Sequence, residues 1–291
     1  MILNFYIVDS FTNERYSGNP AGVIFHERDL TEAEMRRIAD ELHLESAFVG
    51  PPPDNSADYS VAYYTGECRV PLCGHDTIAL GVVLHERGIR GTVKLHTDVG
   101  LVLMDILANG WISMSQALPL MGAIADRAQC AEALGCGLDA LGPFSLPVQV
   151  VSTGSPFLFV SMRDEESIDS LCLPMPALAE FLNTLPGTPL GCYVFAAGEE
   201  RLYARCFCPG AGLPEDPVTG SASGALGSYL LHHGVLKGNI ENMIALTTHQ
   251  GYVMGRPGSA GVQIRVDRAN AVQWVKVSGQ GILVARGELF V

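Results

Sequence analysis

Residues 71–88 read PLCGHDTIALGVVLHERG, and residues 217–234 read PVTGSASGALGSYLLHHG. They stand 146 positions apart (217 − 71). Both open on a P-x-x-G turn. Ala79-Leu80-Gly81, Leu84 and Gly88 then recur as Ala225-Leu226-Gly227, Leu230 and Gly234. Each stretch predicts a helix, over 75–87 and 220–233, that starts after the turn and stops at a Gly suited to a left-handed C′ cap. Neither carries much charge until its last turn, so both helices are expected to be buried nearly all round. A fainter echo joins Gly18-Asn19-Pro20 to Gly154-Ser155-Pro156 at an offset of 136 (154 − 18). Shared order at a near-constant offset is the signature of a duplication.

The rest of the chain supplies sheets to surround the two helices. Strand-like segments are read at 3–8, 21–25, 46–49, 59–64, 93–97, 101–107, 111–115, 147–151, 157–161, 192–196, 201–207, 244–248, 262–266 and 282–286. The other helices fall at 31–43, 126–135 and 176–183, the first introduced by a Thr31/Glu34 capping box. This is α+β with an excess of strand, without the regular alternation of a doubly wound parallel sheet. Two similar lobes follow, 1–118 and 119–291, with the last strand free to return to the first lobe. The junction is placed at 116–122, where Ala117-Leu118-Pro119-Leu120-Met121-Gly122 interrupts the strand pattern.

Composition narrows the function. The chain has 291 residues, 18 Lys and Arg against 31 Asp and Glu, and a net charge of −13. That balance argues against nucleic acid, which is held by clustered Lys and Arg. No stretch approaches the roughly 20 apolar residues of a membrane span. No signal peptide is read at the N-terminus, and a cytoplasmic protein is expected. The eight cysteines include no C-x-x-C pair, so neither a disulfide framework nor a structural zinc site is expected. Cys206 and Cys208 should share one face of a strand.

A helix start exposes unpaired N–H groups and a partial positive charge, and Gly lets a ligand approach the backbone. Two such starts can hold a carboxylate without Lys or Arg; equally, the glycines can serve only the turns. His75 and Ser221 occupy equivalent first-turn positions, one able to exchange protons near neutral pH. Asp216 precedes Pro217 and Asp76 follows His75; both also read as ordinary helix-start acids. Glu45 sits between a helix and the apolar strand Ala47-Phe48-Val49. A carboxylate there is expensive to bury when ionised, which suits a group that gives and takes a proton. On sequence alone, an exposed helix-end Glu is the simpler reading.

Taken together, several segments resemble the phenazine-biosynthesis isomerase (PhzF-like) family of the diaminopimelate epimerase structural superfamily. They are Asp9 and Phe11, Gly18-Asn19-Pro20-Ala21, Glu45-Ser46-Ala47-Phe48-Val49, Pro71-Leu72-Cys73-Gly74-His75, and Glu215-Asp216-Pro217-Val218-Thr219-Gly220-Ser221-Ala222. The resemblance implies two β-barrel-like lobes, each wrapped around a central helix, with an active site between them and a homodimeric assembly. It implies isomerisation of a small carboxylated substrate, similar to trans-2,3-dihydro-3-hydroxyanthranilate, without metal or organic cofactor. Glu45, His75 and Asp216 would be catalytic. Asn19, Ser46, Cys73, Gly74, Thr219, Gly220 and Ser221 would bind substrate. Asp76 departs from the small residue the family often has there, as does 65–69 from the more aromatic segment expected.

Two other activities compete with this one. Related racemases and epimerases use a thiol at each helix start, whereas this chain pairs Cys73 with Thr219. That weakens racemisation but leaves open a hydroxyproline-type dehydratase, with Cys73 as a base if the helix start lowers its pKa. A non-catalytic binding or interaction protein on the same scaffold is the alternative of another class.

Overall fold

A computed structural model describes residues 2–198, 201–239 and 241–291. Its contacts divide the chain into two compact units. The first runs up to Ser115 and adds Ser278–Val291; the second is Gln116–Val277. Residues 278–291, the tail of the expected second lobe, thus cluster with the first unit.

Unit 1 contains β1 (Ile2–Ser10), β2 (Asn19–Phe25), α1 (Glu32–Leu42), β3 (Ser46–Gly50), β4 (Tyr59–Tyr64), β5 (Arg69–Val70), α2 (Gly74–Glu86), β6 (Gly91–Thr97), β7 (Gly100–Ile106) and β8 (Ile112–Gln116), whose last residue begins unit 2. Unit 2 continues with β9 (Leu120–Ile124), α3 (Arg127–Ala133), β10 (Gln149–Ser152), β11 (Pro156–Ser161), α4 (Glu165–Asp169), α5 (Met175–Thr184), β12 (Gly191–Ala197), β13 (Leu202–Cys208), β14 (Leu213–Asp216), α6 (Gly220–His232), β15 (Met243–Gln250), β16 (Gly258–Val266) and β17 (Val272–Gly279), whose last two residues fall in unit 1. The chain ends in β18 (Gly281–Phe290), antiparallel to β1.

Duplication is visible in the pairing of each unit. In unit 1, β1–β2 is antiparallel, β2–β3 parallel, β3–β4 antiparallel, β4–β6 parallel and β6–β7 antiparallel. In unit 2, β10–β11, β11–β12, β12–β13, β13–β15 and β15–β16 repeat that series. Parallel neighbours need a crossover. The first crossover in unit 1 uses α1, and the second uses α2. Unit 2 uses α4 and α5 for the first and α6 for the second. Its longer first crossover accounts for the growth of the offset, from 136 at the Gly-x-Pro echo to 145 between the starts of β3 and β12 (191 − 46).

Both central helices are packed as their composition predicts. Every residue of α2 from His75 to Leu84 is buried, and so is all of α6 from Gly220 to Leu231 apart from Ser221. Gly81 brings α2 against the sheet: a Cβ there would fall 2.4 Å from Ile112 Cγ2 and 3.0 Å from Met104 Sδ. Gly227 does the same for α6 against Ile264 and Val262. The core of unit 2 adds stacked and edge-on rings, with Tyr229 5.8 Å from both Phe159 and Phe195. The Tyr229 hydroxyl donates to Pro147 O at 2.7 Å, which keeps a buried phenol satisfied. Each unit is therefore a β-barrel-like sheet around one apolar helix.

The helix ends follow local chemistry. Thr31 and Glu34 form the reciprocal capping box, with Glu34 N donating to Thr31 Oγ1 and Thr31 N to Glu34 Oε2. Gly88 and Gly234 take left-handed φ of 85° and 73° after α2 and α6. A Cβ at Gly88 would meet nothing within 4 Å. Gly88→Ala is therefore expected to cost only the conformational penalty of about 1–2 kcal/mol, measurable as a lowered denaturation midpoint with unchanged spectra.

Two expectations need correction. Residues 120–124, where the strand pattern was expected to break, form β9, which pairs with β10 immediately after Pro119. Residues 272–279, given no strand, form β17; Val275 and Val277 turn inward while Gln273 stays exposed.

Candidate active site

Glu45 is placed by the β2–β3 register. Helix α1 ends on His43 in the left-handed conformation, two residues before Glu45. Gly22 N then donates to Glu45 O at 2.9 Å, which pins the backbone at the entrance to β3. Ser46, expected to bind substrate, is fully buried, and its hydroxyl donates to Leu44 O at 3.2 Å. That bond braces the Glu45 turn. Gly22 permits this, since a Cβ there would fall 2.3 Å from Ser46 Oγ.

The start of α2 brings three more groups to Glu45. Cys73 Sγ donates to Glu45 Oε2 at 3.2 Å and lies 3.3 Å from His75 Nδ1. His75 Nε2 is 3.3 Å from the same Glu45 oxygen and 3.5 Å from Asp76 Oδ1. The Glu45 side chain is 19% exposed, that of His75 10% and that of Asp76 0%. The imidazole is thus held between two carboxylates, one reachable and one closed off. Ser10 Oγ donates to His75 O at 2.8 Å and fastens the helix start to β1. Asn19, nearly buried at the start of β2, pairs in register with that Ser10. Thr77 Oγ1 donates to Cys73 O at 2.7 Å and meets the buried Tyr63 hydroxyl at 2.7 Å.

The Cys73 thiol is pushed well above its ordinary pKa. Burial is the main cause, and the neighbouring Asp76 and Glu45 carboxylates add to it. A thiolate base was the expectation if the helix start prevailed; desolvation and the two acids win instead. Cys73 is consequently a proton donor to Glu45. Brief treatment with iodoacetamide in mildly alkaline buffer is expected to label the exposed Cys68 and Cys172 and to spare Cys73; peptide mapping reads the outcome.

Unit 2 builds an equivalent helix start from different residues. Thr219 takes the place of Cys73 and donates through Oγ1 to Asp216 Oδ2. Gln250, wholly buried on β15, donates through Nε2 to Asp216 O at 2.6 Å and to Thr219 Oγ1 at 3.2 Å. Its Oε1 accepts from Thr219 N at 3.2 Å. Ser223 Oγ donates to Thr219 O at 2.9 Å and contacts the Thr248 and Tyr193 hydroxyls, repeating the Thr77–Tyr63 device. Thr153 Oγ1 donates to Ser221 O at 3.2 Å. Arg205 holds Glu215 through two bonds of 2.8 Å, which locks β14 beside β13 next to Asp216. The Thr219 side chain does not cap the first turn of α6, whereas the Cys73 thiol at the start of α2 interacts with the Asp76 N–H. A helix start of this kind offers backbone N–H donors to an anion.

The sequence did not single out Gln250, Thr153 or the Tyr63–Thr77 pair. No motif marks them, because each acts through hydrogen bonds to a distant segment. Cys206 and Cys208 do share a buried face, with their sulfurs 3.4 Å apart. A depression of about 600 Å³ on unit 2 lies toward the other end of α6, lined by Leu118, Met121, His232 and Val272, and holds none of the predicted site residues. Among the described residues, Glu45, Cys73, His75 and Asp76 form the group of metal-ligand type, with ligand atoms within 4.8 Å of one another.

The chain as a whole is similar to known proteins. The model of the phenazine biosynthesis-like protein family, PhzC-PhzF, matches residues 8–287. The chain belongs to this family. It is 32% identical to an uncharacterized isomerase of Clostridium acetobutylicum, over 98% of this chain and 97% of that one. It is 30% identical to the trans-2,3-dihydro-3-hydroxyanthranilate isomerase of Pseudomonas fluorescens, over 98% and 99%. The crystal structure of a PhzF-family protein from Bacillus anthracis superposes with a TM-score of 0.88 at 26% identity, covering both chains completely. A hydroxyproline epimerase from Agrobacterium vitis shares the fold alone, with a TM-score of 0.67 at 12% identity over 99% of this chain and 92% of that one. Within this family of named isomerases, the chain is an isomerase.

Proposed function

We propose that the protein moves a proton within a small carboxylated cyclic substrate, of the type of trans-2,3-dihydro-3-hydroxyanthranilate, with Glu45 as the group that removes and returns it. The observation that carries this reading is the contact of Glu45 Oε2 with Cys73 Sγ and His75 Nε2. A carboxylate so placed can accept a carbon-bound proton while two neighbours adjust to its change of charge. His75 polarises the substrate and shares the proton, and Asn19, Cys73 and Gly74 border the same helix start. For unit 2 the proposal assigns Asp216 to proton transfer, and Thr219, Gly220 and Ser221 to substrate binding. It draws there on the family correspondence and on the uncapped start of α6. Donors that stay fixed by Gln250 and Ser10 need no reorganisation when charge develops on the substrate.

Racemisation by paired thiols has less support. Thr219 stands where a second thiol is needed, and its hydroxyl is engaged by Asp216. The reaction as proposed draws on side chains and helix-start donors only. A small-molecule carboxylate is the proposed partner, and a homodimer in the cytoplasm is the proposed setting.

The test is mass-spectrometric deuterium uptake in heavy water over a panel of trans-2,3-dihydro-3-hydroxyanthranilate, D- and L-amino acids and hydroxyprolines. Turnover and labelling of the dihydroaromatic acid are expected. Labelling confined to an amino-acid α-carbon contradicts the proposal.

A further inference from the structure

We propose that Glu45, Cys73, His75 and Asp76 also form a binding site for a thiophilic divalent cation of the zinc class, and that its occupation arrests proton transfer. The second half rests on the role proposed for Glu45; the first does not. The four donor atoms all lie within 4.8 Å of one another. Cys73 Sγ is 3.2 Å from Glu45 Oε2 and 3.7 Å from His75 Nε2. His75 Nε2 is 3.3 Å from Glu45 Oε2 and 3.5 Å from Asp76 Oδ1. Tetrahedral zinc, with bonds of about 2.0 Å to nitrogen or oxygen and 2.3 Å to sulfur, separates its ligand atoms by about 3.3–3.8 Å. The separations lie near that range: Cys73 Sγ must open by about 0.3 Å from Glu45 Oε2, and the His75 ring must turn so that Nε2, not Nδ1, faces the sulfur.

The chemistry of the donors points to the same class of ion. One sulfur, one imidazole nitrogen and two carboxylate oxygens suit zinc or cobalt; magnesium and calcium prefer oxygen alone and more ligands. Asp76 supplies the fourth donor. It is wholly buried, while Glu45 and His75 keep enough exposure for an ion to enter. Binding forms the Sγ–metal bond as the Cys73 S–H breaks, and that proton leaves to solvent; His75 coordinates through Nε2 as the neutral tautomer with its proton on Nδ1, and no oxidation state changes. Glu45, once coordinated, shares its negative charge with the cation and is a far weaker base toward a carbon-bound proton.

Cobalt(II) titration of the purified protein reads the site directly, with or without a known substrate. The expected result is one equivalent of tightly bound cobalt. It should show the intense visible bands of a tetrahedral ion and a near-ultraviolet thiolate-to-cobalt charge-transfer band, both displaced by zinc. The charge-transfer band is expected to be lost in Cys73→Ala and the visible bands weakened in Asp76→Asn. Both should persist in the Cys68→Ser, Cys172→Ser double variant, which removes the exposed thiols. Absence of the bands in the wild type, or their persistence in Cys73→Ala, overturns the site. Because Asp76 is buried, Asp76→Asn is read only where its circular dichroism matches the wild type; Cys73→Ala, a small truncation, decides otherwise. With turnover in hand, zinc is expected to abolish it and a chelator to restore it. Zinc binding that leaves turnover untouched overturns the regulatory half alone.

Discussion

Glu45→Gln is expected to lower turnover by about 10²–10⁴-fold, the range for loss of a general acid–base group. The substitution is nearly isosteric, so the packing of the Glu45 turn against Gly22 and Ser46 should survive. An amide accepts a hydrogen bond from Cys73 Sγ as the carboxylate does, but it cannot take a proton from carbon. The loss should therefore fall on kcat, with KM little changed. Glu45→Asp retains the function of the group but withdraws it by one methylene, and an intermediate loss is expected. Steady-state kinetics on the three proteins, with circular dichroism as the folding control, decides the matter. A variant with wild-type kcat would remove Glu45 from the reaction.

Gly251→Ala is expected to be the most damaging single methyl group in unit 2. Gly251 has φ of +86°, and a Cβ there would fall 2.2 Å from Arg256 O and 2.8 Å from Pro217 O. Both are backbone atoms, so no side chain can swing away. Left-handed strain alone costs about 1–2 kcal/mol; the two contacts bring the expected total to at least about 3 kcal/mol. That corresponds to a melting temperature lower by roughly 6–12 °C for a domain of 150–250 residues. The contrast with Gly88→Ala, where the space is open, separates conformational strain from collision. Gly251 follows Gln250 and touches Pro217, so the damage should reach Asp216 and Thr219 and lower activity in the folded fraction as well. Differential scanning calorimetry and specific activity on the same preparation test both halves; an unchanged melting temperature would contradict the close approach.

Much of the architecture was legible because it is written in local periodicity. The two apolar helices, their Gly stops and the repeated P-x-x-G turns define a duplicated unit before any pairing is known. The capping box at Thr31 and the α+β balance follow from equally local signals. Residues 120–124 were not legible as a strand, because Pro119 and Gly122 look like punctuation. Register against β10 overrides them. Residues 272–279 carry only a short alternation, Val275 and Val277 inward around Lys276, which is a weak signal beside the longer strands.

The site divided along the same line. Glu45, His75 and the two helix starts lie in motifs, and motifs survive in sequence. Direction does not. The bond from Ser46 Oγ to Leu44 O depends on which side of β3 the residue occupies at the Glu45 turn. Asp76 reads as a helix-start acid, and only the fold shows it enclosed beside His75 Nε2. The state of Cys73 turned on competing magnitudes: a helix start favours thiolate, and full burial between two acids outweighs it. Gln250 is a lone Gln on a strand, and its importance comes from reaching back 34 residues to Asp216.

The central claim is that one carboxyl group, and not a thiol, carries the proton. Its most direct test compares deuterium incorporation by Glu45→Gln and Cys73→Ala in heavy water, with trans-2,3-dihydro-3-hydroxyanthranilate and the amino-acid panel as substrates. The prediction is label in the dihydroaromatic acid that disappears in Glu45→Gln and persists, at reduced rate, in Cys73→Ala. Label at an amino-acid α-carbon that persists in Glu45→Gln and disappears in Cys73→Ala would contradict it.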